Sequence, residues 1–496
     1  MGVSSVNLTM NPWEIGVFIL YLLGMLGMGV YFFITGKDGG DKQYFLGGRS
    51  MGPWVAALSA GASDMSAWVL MGLPTAIYAL GLGQVWIAIG LLIGYALSWI
   101  YEAPRLRAFT VAFGDSITVP QFLTNRFLSR SRSLQVVSAI VFLIAYTIYA
   151  ASSIKACGTL FNTVIGMDPT FAMFLGATVI VGYTFLGGFS AVCWTDFVQG
   201  MIMLGAMFIA PIFAATLIEA GAGTGIPANY WSLTADWHDI VSGLAWGLGY
   251  FGMPHIIVRF MSLESQSEMK KSAVIGIGWT TFILIFAAAI GVVGRLFLGF
   301  DESINSNSLV FITMVRMIFP ALISGILLSA VLAASMSTAD SQLLAAASAF
   351  AADVYKPILR AGRATEKEMM MVGRLVVLAI AAVALLIAMA PNSGSIMSLV
   401  SNAWGVFGAA FGPAIMLSLF WKRFNFAGAI AGMVVGTVAD IGWLTYLGHL
   451  NIYELAPAFV IGLVAAYVVT LVTSAPDGSV VEKFIEAEHK AVFGED

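Results

Sequence analysis

"SAGASDMSAWVLMGLP", residues 59–74, decides how this chain is read. Asp64 stands inside a long apolar run, with Gly61 and Gly72 on either side and Pro74 just beyond. A carboxylate at the centre of a bilayer costs at least ~2.5 kcal/mol, even on lenient insertion scales. Glycine and proline are the residues least suited to a helix interior. An acid in a helix-breaking context at that depth points to backbone that unwinds around something it binds, because freed backbone groups are tolerated there only when they line a cavity.

The surroundings read as membrane. The 496 residues are 59% hydrophobic and only 10% charged, whereas soluble domains carry about 25% charged residues. Apolar runs of the roughly 20 residues needed to cross a hydrocarbon core recur from Trp13 almost to the C-terminus. The expected class is an all-α polytopic membrane protein with about thirteen transmembrane helices. The spans lie near 13–35, 53–79, 83–101, 134–162, 171–189, 191–218, 239–258, 273–298, 321–345, 371–390, 396–420, 426–446 and 455–474. Residues 301–320 read as an extramembrane or interfacial helix. MGVSSVNLTMNPWE at the N-terminus lacks the basic region of a cleavable signal, so the first apolar run is expected to stay as a helix. Cys157 and Cys193 sit in apolar segments and give neither a disulfide framework nor a metal pattern. The net charge of −4 says little about partners, because the placement of charge matters more than its sum.

That placement orients the chain. With the N-terminus outside and the C-terminus cytoplasmic, all but three of the 23 Lys and Arg fall in cytoplasmic loops or the tail, as the positive-inside rule requires. Arg126 and Arg259 count as loop residues in this layout, and the exceptions are Lys155, Arg295 and Arg316. Lys155, within span four, is explained only as a snorkelling side chain.

Span seven carries a second interruption, WGLGYFGMP (246–254), with three glycines and a proline. It lies five spans after the first, and five is odd, so the two spans cross in opposite directions. Spans 2–6 and 7–11 thus read as two five-helix units of inverted topology, each opening with a broken helix. Paired Gly/Pro-interrupted spans are the best sequence pointer to a transporter's midplane site. For most other glycines, close helix packing is sufficient explanation.

Three stretches carry a resemblance: LGGRSMGPWVAALSAGASDMSAWVLMGLP (46–74), WGLGYFGMPHIIVRFM (246–261) and LLSAVLAASMSTADSQLL (327–344). They resemble the solute:sodium symporter family, and within it the bacterial members that take up proline, from about Tyr44 to Tyr453. The resemblance implies a LeuT-type core of 5+5 inverted repeats in a bacterial cytoplasmic (inner) membrane. The matching division is an extra helix and loop at 1–52, repeats at 53–219 and 220–424, two further helices at 425–474, and a cytoplasmic tail at 475–496. It also implies import of L-proline by alternating access, with sodium as the co-transported ion and no nucleic-acid partner.

Carried over by motif, the implied sodium site uses the carbonyls of Ala62, Met65 and Ala334 and the hydroxyls of Ser337 and Thr338. Residues 334, 337 and 338 fall at i, i+3 and i+4, so they share one helix face. A hard monovalent cation wants a cage of oxygens, which unwound carbonyls and small hydroxyls supply with little net charge. The bland reading of the two hydroxyls is back-bonding to the preceding turn. Asp64 is implied to be sodium-linked, shaping the unwound backbone by its charge and its capacity to accept hydrogen bonds; a plain helix cap is the compatible alternative. Asp196, in CWTD at the start of span six, and Asp340 are implied to lie on the ion's inward route. A helix-terminal charge and a solvated cavity residue remain the alternatives for these two.

The implied substrate residues are Ser66, Trp68 and Gly72 on span two, Tyr149 on span four, and Trp246, Tyr250 and Pro254 on span seven. Freed N–H groups at a half-helix N-terminus receive a carboxylate, and aromatic faces take an ammonium. Ala67 stands where the proline-transporting pattern has Gly. Other classes fit less well. An enzyme would need a catalytic constellation, and His238, His255, His449 and His489 are scattered. A channel would need a filter or a ring of like charges. Within the transporter class, the alternative is another small organic solute: a different amino acid, a sugar or a carboxylate.

Overall fold

The computed structural model describes residues 11–35, 40–129, 131–234 and 236–494. Among these, the only strand-like pairing is a single bridge between Met51 and Leu263; the rest of the regular structure is helical.

Ten helices are long and apolar enough to cross a membrane. One of them, Pro169–Thr216, has 48 residues, about 72 Å of helix at ~1.5 Å per residue, more than twice the hydrocarbon thickness. It is divided at Gly188, whose φ of 63° and ψ of −163° leave the helical region, so spans five and six are residues 169–187 and 189–216. Span seven consists of Trp237–Phe251 and Pro254–Ser262, bent by 44°. Span two consists of Pro53–Asp64 and Trp68–Leu80. Among the described residues, ten helices, or eleven with the bent pair, pass by length and composition; dividing the 48-residue helix and adding span two makes thirteen candidate crossings, the number expected.

Gly188 is held in a conformation that L side chains rarely adopt, and a Cβ there would fall 2.7 Å from Tyr44 Cδ2. Gly188→Ala is therefore expected to lose roughly 1–3 kcal/mol of stability, read as a lower thermal unfolding midpoint in detergent.

Several ends differ from the sequence reading. Span three continues over Leu82–Ala112 rather than ending at 101, because its polar groups find partners. Ser98 Oγ donates to Glu102 Oε2 at 2.8 Å, and Arg107 Nε donates to the Leu263 carbonyl at 3.0 Å. Span nine continues through a π-helical segment over Ala321–Leu359. The segment expected outside the membrane forms two short helices, Glu302–Ser306 and Val310–Ile318, and Val310 to Val315 are buried against the bundle. The tail is not a free extension. Gly478–Phe493 is a helix that packs on the end of span three, with the Phe484 ring 5.0 Å from Phe109 and Arg105 Nη2 2.9 Å from Glu488 Oε1.

The packing is reciprocal. Span eight (Gln266–Leu298) lies along both halves of span two, and span three lies along span seven. Span four (Ser133–Ile165) packs on spans ten (Glu366–Met389) and eleven (Ile396–Phe420), while span nine packs on spans five and six. Each five-helix unit thus meets the other through corresponding members, as an inverted repeat requires. At the contact of spans three and seven, Gly90 and Gly94 face Gly243 and Gly247 so closely that no Cβ fits on either side, the close approach that small residues permit in lipid. Span one (Pro12–Thr35) packs on spans five, six and nine, and spans twelve (Phe426–Leu450) and thirteen (Leu455–Val472) pack on each other and on span eleven.

Candidate functional site

The first half of span two ends at Asp64, and Met65 leaves the helix at φ −77° and ψ 70°. The Ser66 N–H, which a continuous helix would donate to Ala62, instead donates to the Asp64 carbonyl at 2.8 Å. Three carbonyls are released and side chains claim them. Ser337 Oγ donates to Ala62 O at 2.8 Å. His255 Nε2 lies 3.2 Å from Ser63 O, and Trp68 Nε1 donates to Asp64 O at 3.3 Å.

Ser337 brings span nine onto this break. Its hydroxyl also lies 3.3 Å from the Ala334 carbonyl, so back-bonding exists but the shorter bond crosses to span two. Thr338 Oγ1 is buried with no hydrogen-bond partner. Of the five residues of the implied sodium site, Ser337 touches the carbonyls of both Ala62 and Ala334. Thr338 offers a free oxygen on the same face, and Met65 marks where the helix unwinds.

Asp64 is fully buried. Its Oδ2 accepts the Tyr250 hydroxyl, while Oδ1 has no partner. The acid therefore joins the two broken spans, which spacing along the chain could not reveal. Around Tyr250 the aromatics gather. Trp68 and Trp246 have ring centroids 6.1 Å apart, Trp246 stacks on Tyr453 at 5.0 Å, and Tyr250 meets Trp404 and Tyr95 at 5.1 Å each. Tyr149 lies beside Ser66 and Trp68, with its hydroxyl buried and unpartnered. Gly72 leaves space beside the Met397 sulfur, which would be 3.3 Å from a Cβ at that position. Pro254 is placed elsewhere. It opens the second half of span seven and lines a small cavity with Phe142, Phe189, Arg259 and Ser341.

That cavity lies beside the two remaining acids. Asp196 Oδ2 is 3.1 Å from Arg259 Nη2 and accepts from Ser59 Oγ at 2.7 Å. Arg259 Nε donates to Ser59 Oγ at 3.0 Å, and its guanidinium also reaches Ser341. Asp340 sits near Asp196, with both carboxylate oxygens buried and unpartnered. Arg259 is thus not the loop residue that charge placement made it: it is 1% exposed, and its pairing with Asp196 accounts for its burial. Arg126 is likewise fully buried, among the rings of Phe113, Phe127 and Phe484. Lys155 has a partner as well, donating to Ser393 Oγ at 2.9 Å.

Sequence reasoning did not find Arg259, His255, Tyr95, Trp404 or Tyr453. His255 and Arg259 carried a signal, since i and i+4 share one helix face and both follow a glycine-rich break. Trp404 and Tyr453 carried none, because they arrive from span eleven and from the connection between spans twelve and thirteen. Trp404 is held there by donating Nε1 to the Trp246 carbonyl at 2.8 Å.

The sequence model of the Sodium:solute symporter family matches residues 44–436. The High-affinity proline transporter PutP of Bacillus subtilis (strain 168) is 44% identical over 452 residues, covering 89% of this chain and 95% of that protein. The Osmoregulated proline transporter OpuE of the same organism is 42% identical over 467 residues, covering 92% and 94%. The Sodium/proline symporter of Staphylococcus aureus (strain JH9) is 40% identical over 488 residues, covering 95% and 94%. Among solved structures, a Na+-coupled sialic acid symporter shares the fold at a TM-score of 0.79 and 21% identity, covering 94% of this chain and 99% of that one. Mhp1, a nucleobase-cation-symport-1 family transporter, aligns at a TM-score of 0.56 and 14% identity, covering 92% and 98%. The five-plus-five core, the two broken spans and these matches over most of the length lead to one conclusion: the chain belongs to the sodium:solute symporter family.

Proposed function

We propose that this protein imports L-proline across a bacterial cytoplasmic (inner) membrane, driven by co-transported sodium through alternating access. The observation that carries the reading is the meeting of three elements at one depth. Span two is unwound at Met65–Ser66, span nine reaches the end of its first half through the bond from Ser337 to Ala62, and span seven reaches it through the bond from Tyr250 to Asp64. The named relatives supply the substrate, since those at 40–44% identity are described as proline transporters.

In this mechanism sodium enters among the carbonyls of Ala62, Met65 and Ala334 and the hydroxyls of Ser337 and Thr338. Ser337 and Ala62 already stand 2.8 Å apart, so the hydroxyl need only rotate its proton away for both oxygens to face the ion. Asp64 accepts the Tyr250 hydroxyl and, when ionised beside the cation, adds negative potential. Proline lies beside it, its carboxylate toward the N-terminal end of the second half of span two and its ring against Trp68, Trp246 and Tyr250. Because both ligands fix the same unwound turn, each favours binding of the other. Asp196 and Asp340 lie on the inward route, with Arg259 neutralising the first. The repeats are residues 53–219 and 220–424, flanked by 1–52, 425–474 and the tail 475–496, with the N-terminus outside and the C-terminus in the cytoplasm.

Uptake of labelled proline into vesicles containing the purified protein, with and without an inward sodium gradient, tests the reading. Sodium-dependent accumulation that unlabelled proline competes is the expected result; competition by another solute at far lower concentration overturns the substrate. Trp246→Ala is expected to raise the half-saturating proline concentration roughly tenfold, since loss of an aromatic contact costs about 1–2 kcal/mol. Tyr250→Phe keeps the ring and removes the bond to Asp64, so it is expected to shift the sodium dependence more than the proline dependence. Unchanged kinetics in both variants place the pocket elsewhere.

A further inference from the structure

Two carboxylates outside the five-plus-five units remain unexplained by transport. Asp440 is fully buried on span twelve, and neither of its oxygens has a hydrogen-bond partner. Glu454, immediately before span thirteen, is 7% exposed, and its Oε1 is also unpartnered. Both side chains converge on Gly405 of span eleven. A Cβ there would lie 2.7 Å from Asp440 Oδ1, 3.3 Å from Oδ2 and 3.3 Å from Glu454 Cγ. Two carboxylates in a dry setting repel and lose hydration, so such a pair is held either by protons or by a compensating cation.

We propose that Asp440 and Glu454 form a second cation site, for a hard cation that takes oxygen ligands, where both side chains meet beside Gly405 among spans eleven, twelve and thirteen. The carboxylate oxygens supply anionic ligands, and Gly405 permits their approach, since a Cβ there would lie 2.7 Å from Asp440 Oδ1. The cation is resident, because spans twelve and thirteen lie outside the repeats that hold the candidate transport path. Its position also gives it a lever on the substrate region. Glu454 follows Tyr453, whose ring stacks on Trp246 at 5.0 Å. The Tyr453 N–H donates to Ser242 Oγ of span seven at 3.0 Å, and its hydroxyl donates to the Ser401 carbonyl at 2.8 Å. Bringing the two acids together on a cation thus ties the first half of span seven to spans eleven to thirteen. The inference does not depend on which solute is carried.

The test is equilibrium binding of radiolabelled sodium, and separately of radiolabelled calcium, to the purified full-length protein, with tryptophan fluorescence as a second readout. The expected result is one bound equivalent that survives Ser337→Ala but is lost in Asp440→Asn and in Glu454→Gln. Gly405→Ala should lose the same equivalent with both acids present, because its methyl group would lie 2.7 Å from Asp440 Oδ1 and push the carboxylate away. Whichever isotope shows this loss names the cation. A monodisperse elution profile and a retained thermal midpoint separate loss of the site from loss of the fold, and three independent variants keep the question open to an answer if one misfolds. If all folded variants bind as many equivalents of both ions as the unsubstituted protein, the proposal is overturned. It is equally overturned if the pair only exchanges a proton as pH is varied and binds neither ion.

Discussion

Asp64→Asn lowers sodium affinity by roughly one to two orders of magnitude while proline binding at saturating sodium stays near that of the unsubstituted protein. The substitution keeps the size of the side chain and an oxygen that can accept the Tyr250 hydroxyl, so the joint between spans two and seven persists. What is lost is the charge. A hydrogen bond to a charged group contributes about 1.5–3 kcal/mol, and each 1.4 kcal/mol is about tenfold in affinity. The Asp64 oxygen that has no partner leaves the negative potential available to an ion beside it. Stability should not fall with the charge, because replacing a buried ion by a neutral group of the same shape is often neutral or better. Sodium titrations of proline binding, with thermal unfolding alongside, check both parts. Near-normal sodium dependence in Asp64→Asn sinks the role given to the acid.

The second large effect separates Ser337 from its neighbour. Losing either hydroxyl removes one oxygen from a small cage, so Ser337→Ala and Thr338→Val should each weaken sodium binding by roughly tenfold, the order of one lost interaction of about 1–1.5 kcal/mol. At low sodium, apparent proline affinity falls with it, because coupling between two ligands is reciprocal; high sodium restores it, since the aromatic pocket is intact. The two variants should differ in stability. Thr338 Oγ1 has no partner within the protein, so its removal sacrifices no native hydrogen bond. Ser337→Ala strips the Ala62 carbonyl of its donor, and a buried carbonyl left unpaired costs about 1–3 kcal/mol. Proline binding titrated at several sodium concentrations, read beside the unfolding midpoints, resolves the pair. Failure of high sodium to rescue either variant removes span nine from the ion's wall.

The sequence alone determined the elements and their order. Apolar run length located thirteen spans, since no shorter segment crosses a bilayer and no long apolar run stays outside it. The glycines and proline around Asp64 and at 246–254 marked both broken helices, because such residues clustered within one span weaken the helix locally. The spacing of 334, 337 and 338 put them on one face for the same local reason. Tertiary structure decided what those faces meet. Nothing local joins Tyr250 to Asp64 across 186 positions, or Ser337 to Ala62 across 275; packing of whole helices makes those bonds. It also reversed the reading of Arg259. A charge at the end of an apolar run looks like a loop residue when only its neighbours in sequence are seen. It becomes a buried one when Asp196, 63 positions away, offers a carboxylate at 3.1 Å, because a charge can leave water where a partner replaces its hydration.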